Sequence, residues 1–222
     1  ISNYGFDETD YLDFLSAWKT SLSYTFQLYF DFSGYIDMAA GSALMFNIKL
    51  PANFNSPYKS TGMIDFWKRW HITLTNFITN YIYTPIVKSF KNLNFTIAMY
   101  STLIAFLIAG LWHGASLNFI IWGFLNGLFL FFEKQIGKLI TLPKFIKILL
   151  TCFVVFNLWV VFRIHEFDVM LNFFQILYTN LGTILLKENL ILLAVLIVAV
   201  YSQTLDNYEK IQSMSKKIKF SF

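Results

Sequence analysis

Charge is what this 222-residue chain has least of: 14% of its residues are charged, against about 25% in an ordinary soluble domain. A normally polar, water-facing surface is therefore excluded, and lipid is the expected solvent for much of the exterior. Cysteine is nearly absent. The single Cys152 excludes an intrachain disulfide and a cysteine-based metal centre. Its place in the apolar run 148–162 reads as inert packing. The 17 basic and 13 acidic residues leave a net charge of +4, too small and too scattered for a nucleic-acid surface. No signal-peptide pattern is visible. A chain that opens on Ile1 with a polar, acidic stretch over residues 3–13 is expected to be a piece of a longer protein whose N-terminal part is missing. There is no G-x-S-x-G elbow, no Walker loop and no Gly-rich dinucleotide fingerprint. His71, His113 and His165 lack the close spacing of a metal site on one helix, so no metal is expected.

What the chain has is hydrocarbon. Hydrophobic residues make up 56% and aromatics 20%, with 26 Phe and 6 Trp, and the mean hydropathy is +0.54. A bilayer core about 30 Å thick needs about 20 apolar residues in a helix. The run over residues 95–132 has His113 as its only ionisable group. It is too long for one span and predicts two short helices broken at residues 110–114, where glycine loosens the chain. Further candidate spans are residues 22–48, 148–162 and 189–202. Residues 167–186, interrupted by Asp168, Gln175, Asn180 and Gly182, are open between a span, a tilted interfacial helix and a re-entrant piece. Lys88 and Lys91 precede the long run, and Lys134, Lys138, Lys144 and Lys147 follow it. That pattern fits a hairpin with both flanks in the cytoplasm. PANFNSP at residues 51–57 reads as a fixed loop. The expectation is an all-α, polytopic membrane protein, with residues 1–222 in one membrane-embedded domain.

Several polar groups sit inside this apolar pattern. Gln27, Asp31, Ser33, Gly34 and Asp37 interrupt the first run. Carboxylates at membrane depth are costly and normally face a protein interior or a wet cavity. Capping or pairing with a neighbouring helix and a direct role both remain open for them, and Gly34 is a candidate kink. Residues 65–82 read as one amphipathic helix, with Trp67, Trp70, Leu74, Phe77, Ile78 and Tyr81 on its apolar side. Asp65 and Arg69 are placed for an i,i+4 pair, and Trp67 and Trp70 suit a membrane interface. His71 borders the apolar face, and the residues alone favour a hydrogen-bonded structural histidine. His113 stands between Gly110 and Gly114, whose four-residue spacing lets another helix or a ligand approach closely. Gly123 and Gly127 repeat that spacing, so helix packing alone accounts for both pairs. Position leaves His113 open between a general base and a structural role.

Four ordered blocks carry a resemblance: QLYFDFSGYIDMAAG (residues 27–41), NFNSPY (53–58), DFWKRWHITL (65–74) and LWHGAS (111–116). With FNLWVVFR (156–163) they resemble the membrane-bound O-acyltransferase family over residues 11–163. The likeness is greatest to its bacterial branch of alginate and peptidoglycan O-acetylation and teichoic acid D-alanylation. The resemblance implies a helical core around a tunnel, of which this chain is the C-terminal part, since family members carry several more helices before the first block. It implies that His113 is the catalytic histidine and His71 the second one. Asp31, Ser33, Tyr35 and Asp37 would line the site, and Asn53, Trp67, Arg69 and Trp112 in the motif blocks would bind substrate. It implies no cofactor, but acetyl-CoA or another acyl thioester as donor substrate. The implied setting is a multi-pass protein of the bacterial cytoplasmic membrane, with the bilayer, an extracytoplasmic acetyltransferase and a polysaccharide acceptor as partners and no nucleic acid. The expected activity is O-acetylation of a cell-envelope polysaccharide. The alternatives are D-alanyl transfer to teichoic acid, a transporter or channel fragment using His113, Asp31 and Asp37, and a fragment with no activity of its own.

Overall fold

A computed structural model describes residues 5, 6, 9, 12–137 and 142–179. The described residues are helical, with no strand among them. Helix α1 spans Phe14–Met45. Asp13 caps it, its Oδ1 accepting from the Ser16 N–H at 2.8 Å, which satisfies one of the amides a helix start leaves open. Its 32 residues make a rod of about 48 Å, so it starts well before the expected residue 22. The helix runs unbroken through Gly34. PANFNSP has neither helix nor strand up to residue 56, as its prolines demand, and then makes a single 3-10 turn, Pro57–Lys59.

The helix expected over residues 65–82 is not continuous. It divides into α2 (Met63–Trp67), α3 (Ile72–Ile78), a π-helical turn (Thr79–Tyr83) and α4 (Thr84–Lys88). The break at residues 68–71 has a tertiary cause. The Arg69 carbonyl accepts from Asn55 N–H at 2.9 Å and the Ile72 N–H donates to Asn53 C=O at 3.0 Å. Those two groups are thereby lost to the helical ladder, and the hydrophobic period cannot reveal bonds to a distant loop. The expected Asp65–Arg69 pair forms at 2.7 Å. Trp67 and Trp70 are not interfacial. They are 9% and 4% exposed, within an aromatic core that joins Phe66, Trp70 and Trp159 (Trp70–Trp159 centroids 4.9 Å) and Trp67 with Trp122 (5.8 Å). Buried pairs of this kind contribute about 0.5–1.5 kcal/mol each beyond their area.

The long apolar run forms α5 (Phe95–His113) and α6 (Leu117–Ile136). They turn at residues 114–116, where Ser116 caps α6, so the run does divide in two, but later than the expected 110–114: Gly110 stays inside α5. The two helices are antiparallel: Phe95 meets Phe131 at 5.9 Å, which brings Lys88, Lys91 and Lys134 to one end. Glycine permits the close approach. A Cβ on Gly110 would lie 2.3 Å from the Phe119 carbonyl oxygen, and one on Gly123 would lie 2.4 Å from that of Phe106. Helix α7 (Lys144–Arg163) follows. These three are the described helices long and apolar enough to cross a membrane. Helix α8 (Phe167–Thr179) is about 20 Å long, shorter than a hydrocarbon slab. It packs on α1, where the Trp18 indole N–H donates to Leu177 C=O at 3.1 Å. Residues 180–186 of that expected segment, the candidate span 189–202 and Lys138 lie outside the described residues.

Polar bonds tie the layers together. The Ile64 N–H at the start of α2 donates to Glu133 Oε2 on α6 at 2.9 Å. The Trp67 indole donates to Asn126 Oδ1 at 3.1 Å. Where α5 turns into α6, Ser116 Oγ donates to His165 C=O at 2.8 Å and the Asn118 amide to Ile164 C=O, so this corner is laced to the corner after α7.

Candidate active site

His113 ends α5 and His71 precedes α3, yet both rings line one cavity of about 200 Å³, walled by Phe32, Trp70, Trp112, Trp159 and Phe162. A second cavity of about 340 Å³ lies beside it, walled by Thr75, Thr79, Thr102, Ala105 and Ala109. Trp67, Leu74, His113 and Trp122 line both. His113 therefore stands where two openings meet. Its ring is held by aromatic edges: Trp122 at 5.3 Å and Phe162 at 4.9 Å, both nearly perpendicular. Among the described residues it has ring contacts and no hydrogen-bond partner, which leaves its nitrogens free for a ligand.

The larger cavity is apolar in a specific way. The Thr79 hydroxyl donates to Thr75 C=O at 2.7 Å, that of Thr75 to Trp70 C=O at 3.3 Å and that of Thr102 to Ala98 C=O at 2.8 Å. Each spends its proton on a backbone carbonyl four or five residues earlier in the chain. Two exposed lysines, Lys68 and Lys134, are among its lining residues. One wall includes the π turn, a helical irregularity found frequently at functional sites.

His71 sits in the left-handed region, φ 44° and ψ 54°. That conformation costs a residue with a Cβ about 1–3 kcal/mol and persists where the surroundings over-determine it. Here they do. Asn53 Oδ1 accepts from the Thr73 N–H at 3.0 Å and the Thr73 hydroxyl at 2.6 Å, and lies 3.4 Å from His71 Nδ1. Phe32 meets the His71 ring edge-on at 4.8 Å. Burial lowers the His71 pKa, against a smaller upward effect of its own backbone, which favours the uncharged ring.

Of the site residues expected from the sequence, the structure brings together His113, His71, Trp67 and Trp112. The others stand elsewhere. Asp31, Tyr35 and Asp37 are exposed and do not line the cavity, to which α1 contributes Leu28 and Phe32. The Ser33 hydroxyl turns back to Phe30 C=O at 3.5 Å. Arg69 is spent on Asp65 and on Asn55 C=O. Asn53 is 8% exposed and lies behind His71. The sequence reading missed Trp70, Leu74, Trp122, Trp159 and Phe162. In sequence these are ordinary core positions, and only the shape of the void distinguishes them. No cluster of metal-ligating side chains occurs among the described residues.

Three described helices long and apolar enough to cross a membrane, beside a cavity lined by two histidines, are the features of a membrane protein with an enclosed polar centre. The family model for the membrane-bound O-acyltransferases (MBOAT) matches residues 5–175, and the chain belongs to that family. It is 46% identical over 173 residues to the peptidoglycan O-acetyltransferase of Helicobacter pylori, covering 76% of this chain and 32% of the relative. It is 38% identical over 176 residues to the "Probable alginate O-acetylase AlgI" of Pseudomonas aeruginosa, covering 78% and 33%. To the teichoic acid D-alanyltransferase of Bacillus subtilis it is 34% identical over 131 residues, covering 54% and 33%. The chain thus spans about a third of the length of the relatives it matches.

Proposed function

We propose that this chain carries the acyl-transfer centre of a bacterial membrane-bound O-acyltransferase. It moves an acetyl group from a cytoplasmic thioester to a hydroxyl on the route to a cell-envelope polysaccharide. The observation that carries the reading is the place of His113 where two cavities meet. A donor arriving through one and an acceptor through the other are brought into contact there. The larger, methyl-walled cavity suits the aliphatic arm of a thioester. Lys134, at the end shared with Lys88 and Lys91, supports a cytoplasmic mouth for it.

In the proposed step the acceptor hydroxyl oxygen attacks the thioester carbonyl carbon while His113 takes the hydroxyl proton. A neutral imidazole is suited to this, and general-base help is worth roughly 10²–10⁴ in rate. The tetrahedral oxyanion collapses, the C–S bond breaks, and the thiolate leaves with the proton that His113 held. Trp122 is the donor assigned to the oxyanion. It is 2% exposed and touches His113, and its indole N–H is buried with no partner among the described residues. A donor placed where charge develops is a large term in acyl transfer. His71, across the smaller cavity, orients the acceptor hydroxyl.

The greater identity to the peptidoglycan relative than to the D-alanyl one favours acetyl as the group moved. An extracytoplasmic acetyltransferase completes delivery to the polymer. The test uses the purified full-length protein in proteoliposomes, with radiolabelled acetyl-CoA and, separately, a D-alanyl carrier-protein thioester. Acetyl transfer that is lost in His113→Ala supports the proposal. Alanyl transfer alone changes the acyl group, and solute flux with neither transfer overturns the enzyme reading.

A further inference from the structure

Asn53 is buried and does not line the smaller cavity, and its contacts define one nitrogen of the neighbouring histidine. The Thr73 backbone N–H can only donate, and it meets Asn53 Oδ1 at 3.0 Å. The atom facing this turn is therefore the amide oxygen and not the amide nitrogen. The same oxygen accepts from the Thr73 hydroxyl at 2.6 Å and stands 3.4 Å from His71 Nδ1. If Nδ1 carried its lone pair, two lone pairs would face each other across that gap. With the proton on Nδ1 the contact is an attractive, if long, third hydrogen bond. A neutral imidazole has one N–H and one acceptor nitrogen, so this choice makes Nε2 the acceptor.

We propose that Asn53 is a positioning residue, holding the His71 imidazole with its proton on Nδ1 so that Nε2 is the nitrogen offered to a hydroxyl in the cavity. The backbone is built to the same end. Asn53 C=O takes the Ile72 N–H and Asn53 Oδ1 takes the Thr73 N–H. The two amides that follow His71 are thus fixed by one residue, and the left-handed turn at His71 cannot relax while both bonds hold. Phe32 closes the ring's flank at 4.8 Å, and among the described residues the only titratable groups lining the smaller cavity are His71 and His113 themselves. No carboxylate there competes for the ring proton. The inference rests on the acyl-transfer reading for its consequence in catalysis, but not for the tautomer.

The test uses full-length protein labelled with 15N-histidine, the His71 signals being assigned by their loss in His71→Gln. The 15N shifts report which ring nitrogen is protonated. At pH 8 the wild type is expected to show Nδ1 protonated and Nε2 bare. Asn53→Ala is expected to lose that state and to lower kcat about 10–100-fold, the range lost when the outer partner of a metal-bound histidine is removed, with KM for the donor unchanged. Asn53→Asp, which keeps an acceptor oxygen, is expected to restore Nδ1 protonation and most of kcat. Thr73→Val removes one bond to Asn53 without touching the ring contact and is expected to leave the His71 spectrum unchanged. A wild-type His71 protonated on Nε2 overturns the proposal, as does an Asn53→Ala protein with the wild-type spectrum. If Asn53→Ala fails to accumulate, the wild-type and Asn53→Asp spectra decide. A protein with the expected spectrum but no acyl transfer would sink the function proposed above and leave the role of Asn53 standing.

Discussion

His113 and Trp122 meet at 5.3 Å with their rings nearly perpendicular, at 86°. One comes from the last residue of α5 and the other from the second turn of α6. This contact sets a proton acceptor beside an unspent N–H donor, and both line the two cavities. Replacing His113 with Ala is expected to lower acyl transfer by at least about 10²-fold, with the amount of protein in the membrane fraction unchanged. Transfer at the wild-type rate would remove His113 from the chemistry.

Trp122→Phe keeps a ring in the same slot and deletes the N–H. A fall in kcat of about 10²-fold is expected, with KM for the thioester within a factor of about two. Steady-state kinetics separate this from a packing defect, which would lower the melting temperature as well. An unchanged kcat would leave the oxyanion without its assigned donor.

Ala109 is buried and lines the larger cavity. Ala109→Phe places a ring in that space and is expected to raise KM for the donor by about tenfold or more, an effect of about 1.4 kcal/mol. Binding of the acceptor, which the reading routes through the other cavity, should be unaffected. A rise in acceptor KM instead would reverse the assignment of the two openings.

The glycines divide into two kinds. Gly123→Ala forces a methyl to 2.4 Å from the Phe106 carbonyl oxygen, so α5 and α6 must part. A loss of about 1–3 kcal/mol is expected, read as a melting temperature in detergent lower by roughly 2–10 °C. At Gly34 an added Cβ meets nothing within 4 Å. Gly34→Ala in the interior of α1 is expected to be neutral or to stabilise by up to about 1 kcal/mol. Equal destabilisation at both positions would mean that close helix contact is not what Gly123 serves.

Much of the membrane architecture was legible because a single physical rule governs it. An uncharged run too long for one span has to fold back, and the glycines around His113 marked where. Residues 148–162 likewise emerged inside α7. The amphipathic stretch failed as a continuous helix because Asn53 and Asn55 take backbone groups from its middle, and nothing at Arg69 or Ile72 announces a partner some fifteen to twenty residues upstream. Of the residues expected at the site, the two histidines, Trp67 and Trp112 are those that share the cavity. A site-lining place for Asp31, Tyr35 and Asp37 came from the family resemblance, while the cost of carboxylates at membrane depth left Asp31 and Asp37 open between that and helix pairing. The residues that wall the cavity on α1 are instead apolar Leu28 and Phe32, one turn apart. Trp122 could not have been chosen among six tryptophans without knowing that, of the two buried indoles whose N–H stays unbonded, Trp122 and Trp159, it is Trp122 that meets His113.

The lacing of Ser116 and Asn118 to residues 165 and 164 means that the height of the His113 ring is not decided by its own helix alone. Push on the bend that follows α7 and the load arrives, through two hydrogen bonds, three and five residues from the imidazole. A substitution at that bend would then register as a change in turnover although it touches neither substrate nor base.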